Sequence, residues 1–311
     1  MATKDEILTR LLKEENYVSG EELAKQTGVS RAAVWKAIKS LKKSGYDIEG
    51  VTKCGYKLKQ NNSLVTAEGV KALLEKDIEV THFDTVDSTN TYCKRLLADG
   101  KQGEFLVTAA KQTAGRGRQG KSFYSPSETG IYFSLVIRPD TSLQNAVTAT
   151  TAVAVCKAIE KTTDLKPKIK WVNDVYLNGK KVCGILTEAT TDFESGTVDS
   201  VIIGIGINIS TTKFPSDVQG AGCLDVDVNR SALIAQTVNE LMKIAGGDYA
   251  SFIDYYRSHS MVIGEKIKFI QNGEATLATA TAIDEKGGLE VELENGEKTV
   301  LRSGEITVRK V

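Results

Sequence analysis

The stretch Gln112-Thr113-Ala114-Gly115-Arg116-Gly117-Arg118-Gln119-Gly120-Lys121 has residue types suited to holding an anion. Its three glycines alternate with three cations. Glycine lets backbone N–H groups approach an anion, and arginine can grip a carboxylate or phosphate through two parallel hydrogen bonds. Such a loop is expected to order on binding, because like charges repel and glycine gives up backbone entropy. A solvated basic loop or an RNA-binding segment would have the same composition. The chemistry therefore rests on what accompanies it.

Asp87-Ser88-Thr89-Asn90 gathers short polar groups ahead of an apolar stretch with Tyr92 and Leu96, although an ordinary helix cap uses the same residues. Lys170-Trp171-Val172-Asn173-Asp174 and Lys180-Lys181-Val182-Cys183-Gly184-Ile185-Leu186 flank the turn pair Asn178-Gly179. That hairpin sets a lysine at the start of a buried strand, where its point charge can face a ligand. Gly204-Ile205-Gly206-Ile207-Asn208 ends a strand with glycines and an amide. It lacks the third glycine and following helix of a dinucleotide fingerprint, and no GxxxxGK[ST] loop occurs, so a nucleotide would be held in another way.

These segments need a scaffold. Strand-like runs at 105–109, 131–137 and 201–207 alternate with apolar helical runs at 146–160 and 231–244. The mixture predicts an α+β or α/β layer with a sizeable core. Before it, Ile7, Leu8, Leu11 and Leu12 repeat at helical spacing, and Ser19 with Glu21 and Glu22 starts a second helix. Thr27-Gly28-Val29-Ser30 is a tight turn, and a third helix from Arg31 to Leu41 puts Val34, Ile38 and Leu41 on one face. Two helices joined in this way match a helix-turn-helix. The runs 45–48 and 55–58 read as two strands, with Gly50 and Lys53 in the turn between them, like a wing. Ser30, Arg31, Lys36, Lys39 and Lys53 are the candidate DNA contacts, and Trp35 is expected in the core. A small helical unit that binds protein is the alternative. Asn61-Asn62-Ser63 reads as a linker. After Gly264, short alternating strands punctuated by Asn272-Gly273, Gly287-Gly288 and Asn295-Gly296 predict a small barrel.

Bulk properties exclude little else. The 311 residues suggest two or three domains. With 40 basic and 40 acidic residues, no global charge attracts nucleic acid, yet residues 31–59 hold eight Lys or Arg against two acids, a local face for phosphate. Five scattered cysteines and two histidines give no zinc or disulfide pattern, so no metal site is expected within the protein. No signal-peptide core or membrane-spanning run is present, and a cytoplasmic protein is expected.

In order, DSTN, QTAGRGRQGK, KWVND, KKVCGIL and GIGIN resemble the motifs of the biotin protein ligase family. The preceding helix-turn-helix resembles the class whose members also repress the biotin operon. The resemblance covers essentially the whole chain and implies an α+β protein of three parts. These are a winged helix-turn-helix at 1–62, a class II synthetase-like catalytic domain at 63–262 and an SH3-like barrel at 263–311. It implies that biotin reacts with MgATP to give biotinoyl-5'-AMP, from which a lysine of the biotin carboxyl carrier protein of acetyl-CoA carboxylase takes biotin.

By the same resemblance Arg116, Arg118 and Lys181 serve catalysis. Ser88, Thr89, Asn90, Gln112 and Gly117, with those three cations, bind biotin. Arg118, Lys121, Phe123, Asn173, Asn208 and Arg309 lie toward ATP and Mg2+. Operator DNA and a ligand-promoted homodimer are the other implied partners, with no membrane. Lys121 and Phe123 stand where many members have arginine and tryptophan, giving up a bidentate grip and a larger stacking face for adenine. A lipoate-protein ligase shares the implied catalytic fold but lacks the glycine–arginine loop and the DNA-binding unit. A ligand-sensing repressor with a weak ligase domain is the other alternative, against which Arg116, Arg118 and Lys181 speak.

Overall fold

Ser19 and Ser30 each begin a helix by accepting a backbone hydrogen bond, from Glu22 N at 3.0 Å and from Ala33 N at 3.2 Å. The structure is a computed structural model describing residues 3–14, 16–59, 63–138, 146–191, 197–245, 247, 249–271, 274–302 and 306–308. The caps open α2 (Gly20–Thr27) and α3 (Arg31–Lys43), which follow α1 (Thr3–Lys13). Gly28, at φ +66°, ends α2 in the left-handed conformation that glycine adopts at low cost. Ile7, Leu8, Leu11, Leu23, Val34, Ile38 and Leu41 form a core separate from the rest of the molecule. The chain then makes a two-stranded hairpin, β1 (Ile48–Val51) and β2 (Gly55–Leu58).

Two expectations for this unit fail. Gly50 lies within β1 opposite Tyr56, and the turn carries Lys53 at φ +69°. Trp35 is 54% exposed on α3, with Lys39 Nζ 5.2 Å from its ring centroid, because Val34, Ala37, Ile38 and Leu41 already fill the buried stripe. Ser30, Arg31, Lys36, Lys39 and Lys53 are all exposed. The unit meets the next one through Tyr46 Oη and Thr66 Oγ1 (2.5 Å) and a Lys4–Glu68 ion pair (3.1 Å). Residues 61 and 62 of the expected linker lie outside the described residues.

After α4 (Ala67–Lys71), the strands β3 (Glu79–Phe83), β4 (Phe105–Ala109), β5 (Gly130–Ile137), β6 (Lys168–Lys170), β7 (Asp174–Leu177), β8 (Lys180–Thr191) and β9 (Val198–Asn208) build one sheet. Its order among the described residues is β3-β4-β5-β9-β8-β7-β6. Only the β3–β4 pairing is parallel. Asn178 (φ +49°) and Gly179 (φ +75°) make the expected tight turn between β7 and β8. α6 (Val147–Thr162), α7 (Arg230–Ala245) and α8 (Tyr249–His259) cover one face and share its large apolar core. The other face holds α5 (Thr89–Ala98), whose Cys93 packs on Phe105, Val107, Val136 and Ile202.

Five antiparallel strands follow: β10 (Lys266–Gln271), β11 (Glu274–Ile283), β12 (Leu289–Leu293), β13 (Lys298–Leu301) and β14 (Ile306–Val308). Their order among the described residues is β13-β12-β11-β10-β14, an antiparallel sheet. The Asn272-Gly273 turn lies outside the described residues. Trp171 Nε1 donates to Gly287 O at 3.0 Å and Arg257 Nε to Ile283 O at 2.8 Å, fastening this sheet beside the larger one. Among the described residues no helix is long and apolar enough to cross a membrane.

Candidate active site

The alternation of a β-strand explains the glycines of the GIGIN segment. Ile203, Ile205 and Ile207 of β9 point into the helix-covered core, so Gly204 and Gly206 fall on the opposite face. A Cβ on Gly204 would lie 2.8 Å from Asn90 Cγ, and one on Gly206 would lie 2.6 Å from Phe123 Cζ. Glycine thus permits α5 and the glycine–arginine loop to approach the sheet. In β8, Cys183 and Ile185 belong to the core, while Gly184 and Leu186 line the open face and Glu188 meets Asn90 and Arg116 there.

A cavity of about 170 Å³ lies on that face. Its neutral side is the N-terminus of α5, which Ser88 caps. Gln112 Oε1 accepts from Thr89 N (2.9 Å) and Thr89 Oγ1 (3.2 Å), while Gln112 Nε2 donates to Ser125 Oγ (2.9 Å). Ser134 Oγ lies 2.6 Å from both Thr89 Oγ1 and Asn90 Oδ1. Ser88, Thr89 and Asn90 are buried, and their hydrogen bonds fix the wall before any ligand arrives.

The loop itself is a small hairpin. Phe123 N donates to Gly115 O (2.9 Å) and Gly117 N to Lys121 O (2.7 Å). Its two arginines go separate ways. Arg118 Nη1 donates to Asn173 Oδ1 at 2.9 Å, whereas Arg116 Nη1 pairs with Glu188 at 3.1 Å. Lys181 Nζ lies 2.6 Å from Asp174 Oδ1, in a direction poor for a hydrogen bond. Glu188 also accepts from Lys94 Nζ (2.7 Å) and Asn90 Nδ2 (3.0 Å). Burial would raise the Glu188 carboxyl, but the hydrogen bonds of Lys94 and Asn90, with the charges of Lys94 and Arg116, hold it below the ordinary range.

The structure brings Ser88, Thr89, Asn90, Gln112, Arg116, Gly117, Arg118, Lys121, Phe123, Asn173 and Lys181 to one cavity. Asn208 stands apart from its lining: Nδ2 donates to Gly222 O at 2.9 Å, and the buried Oδ1 has no partner among the described residues. Arg309 lies outside the described residues. Phe123 covers Gly184 and Gly206, in edge contact with Tyr132 at 6.3 Å between centroids. The Glu188 carboxylate and the contact between Asp174 and Lys181 are features of the site that the motifs alone did not yield. Counting in twos along β8 from Gly184 to Glu188 would have placed that carboxylate on the cavity face.

A winged helix-turn-helix joined to a sheet that carries a cationic glycine loop defines a class. The matching family models agree with it. Residues 82–208 match the Biotin/lipoate A/B protein ligase family, 3–57 an HTH domain and 262–309 the Biotin protein ligase C terminal domain. The chain is similar to the "Bifunctional ligase/repressor BirA" of Bacillus spizizenii, with 32% identity over 91% of this chain and 92% of that one. The protein of the same name from Escherichia coli K12 is 28% identical over 97% and 96% of the two chains. Among solved structures, the Aquifex aeolicus biotin protein ligase in complex with biotin and ATP superposes with a TM-score of 0.62 at 28% identity, covering 75% of this chain and 99% of that one. The chain belongs to the biotin protein ligase family, in its bifunctional ligase/repressor branch.

Proposed function

We propose that this chain is a biotin protein ligase and a biotin-responsive transcriptional repressor. It activates biotin with ATP to biotinoyl-5'-AMP and pyrophosphate, then transfers biotin to a lysine of the biotin carboxyl carrier protein of acetyl-CoA carboxylase. One observation carries the ligase reading: Arg118 and Lys181 bind consecutive residues, Asn173 and Asp174, so two cations from different elements converge on one point. Bringing a carboxylate against a polyphosphate requires that concentration of positive charge.

In the first step a biotin carboxylate oxygen bonds to the α-phosphorus as the bond to the β-phosphate breaks. Arg118 and Lys181 would exchange Asn173 and Asp174 for the two reacting anions, and Lys121 would extend the charge toward the leaving pyrophosphate. In the second step the acceptor ε-amine attacks the acyl carbon and AMP leaves with its electron pair. Lys181 would neutralise the charge on that phosphate. Ser88, Thr89 and Gln112 supply neutral hydrogen bonds for the ureido end, Asn90 braces them, and Gly117 permits close backbone approach. Phe123, lying on Gly184 and Gly206, supports packing on the apolar rings of biotin, a different place from the adenine stacking expected of it.

Asn208 Oδ1, buried and without a partner among the described residues, is suited to accept from the adenine amino group. Asp174 Oδ1 and Asn173 are hard oxygen donors beside the cavity and fit Mg2+, which would offset phosphate charge. For the repressor, Ser30, Arg31, Lys36, Lys39 and Lys53 form the DNA face, and a homodimer would set two such faces on two half-sites. Boundaries at 62 and 262, a class II synthetase-like core and an SH3-like closure of the last sheet belong to the same reading. Incubation with ATP and biotin is expected to release pyrophosphate only when both are present. No release contradicts the ligase half. Absence of biotin-dependent binding to an inverted-repeat operator contradicts the other.

A further inference from the structure

Glu188 ties together three pieces that sequence separates widely: β8, the first turns of α5 and the glycine–arginine loop. Its carboxylate receives Lys94, Asn90 and Arg116, with Arg116 Nη1 3.1 Å from Oε1 and 3.2 Å from Oε2. The Glu188 side chain is 16% exposed, while Lys94 and Arg116 are each 42% exposed, so the acid is the fixed member. Asn90 in turn is locked by Ser134 and lies against Gly204, which leaves that end no slack. Charge counting separates the two arginines. Arg116 faces a carboxylate that already serves Lys94, whereas Arg118 faces only the neutral amide of Asn173 and makes no ion pair among the described residues. A guanidinium neutralised by a protein carboxylate has little field left for a distant anion.

We propose that Glu188 is a positioning residue for the ligation reaction: it anchors the Arg116 side chain and thereby holds the glycine–arginine loop over the biotin pocket. On this assignment Arg116 is a strut and Arg118 is the loop's charge at the reacting atoms, which departs from the catalytic role that the family resemblance implies for both. A tethered hairpin presents Gly117 and Arg118 in place, since part of the ordering entropy of a glycine-rich loop has already been met. The inference rests on the ligase reading above.

The test is a double-mutant cycle on the full chain with Glu188→Gln, Arg116→Ala and the pair, reading adenylate formation against biotin concentration. Wild-type protein must form adenylate; if it does not, the ligase reading fails and the strut is not the cause. Given activity, Glu188→Gln is expected to raise KM for biotin roughly tenfold or more, with a much smaller change in the saturated rate. The loss in the double variant should fall short of the sum of the two single losses, because the Glu188–Arg116 contact can be lost only once. Trypsin should cut Glu188→Gln faster than wild type within 116–121, and saturating biotin should slow that cutting. Thermal unfolding identifies a misfolded variant, in which case Glu188→Asp, keeping the charge on a shorter arm, replaces it and should give an intermediate KM. Independent, additive losses, or a wild-type KM in Glu188→Gln, overturn the proposal.

Discussion

The ring of Phe123 takes the space that side chains at Gly206 and Gly184 would need, since a Cβ on Gly206 would lie 2.6 Å from its Cζ and one on Gly184 would lie 3.0 Å from its Cε2. Tyr132, paired with Gly206 across β5 and β9, meets the ring at its edge. Gly206→Ala is therefore expected to lower stability by about 1–3 kcal/mol through overpacking. It should weaken biotin binding by more than that stability loss explains, because the displaced ring leaves the pocket wall. Thermal unfolding and a biotin titration of the same preparation check both. Unchanged binding would show that Phe123 does not form the wall.

Removing Lys181 should affect both chemical steps. Lys181→Ala is expected to slow pyrophosphate release and transfer from preformed adenylate, each by about a hundredfold to a thousandfold, or roughly 3–4 kcal/mol. Arg118→Ala should slow the first step by a similar factor. Single-turnover rates at saturating biotin and ATP separate these effects from binding. A Lys181→Ala enzyme that transfers at the wild-type rate contradicts its place in the second step.

The ion pair of Glu188 has a pH signature. Its carboxyl titrates below the ordinary range in the folded chain, so its stabilising effect is full above the unfolded value near ~4.3 and fades as pH falls through the folded value. The melting-temperature gap between wild type and Glu188→Gln should be constant above about pH 5 and shrink in more acid solution. Differential scanning fluorimetry of the two proteins across pH reads it. A gap that widens toward acid would reverse the sign.

Trp35 offers a direct view of α3, the helix proposed to meet DNA. The chain has two tryptophans, and Trp171 is only 3% exposed against 54% for Trp35. Iodide is expected to quench the Trp35 emission, and operator DNA to protect it. Lys36→Ala and Lys39→Ala should weaken binding to all sequences and lower the salt slope by about 1 each. Quenching unaffected by bound operator would place α3 away from the groove.

What the sequence disclosed follows the reach of local physics. Strand periodicity, serine caps and the Asn178-Gly179 turn are neighbour effects, so the scaffold and most of the cavity lining were legible. Glu188 was not, because its meaning lies in Lys94, Asn90 and Arg116, more than seventy residues away in sequence. Trp35 misled because an apolar residue was assigned inward although Val34, Ala37, Ile38 and Leu41 already complete the stripe. In the last strands alternation reports pairing, so the five-stranded antiparallel sheet was legible, whereas how such a sheet curves is not a neighbour effect.

The central claim is that this pocket makes an activated biotin and delivers it to a protein lysine. Intact-mass analysis of a biotin carboxyl carrier protein, incubated with the full chain, biotin and MgATP, tests it most directly. The account predicts a gain of one biotinoyl group, placed on a single lysine by peptide mapping and absent when ATP, biotin or Lys181 is withheld. A carrier of unchanged mass, under conditions where a known biotin ligase modifies it, would contradict the account.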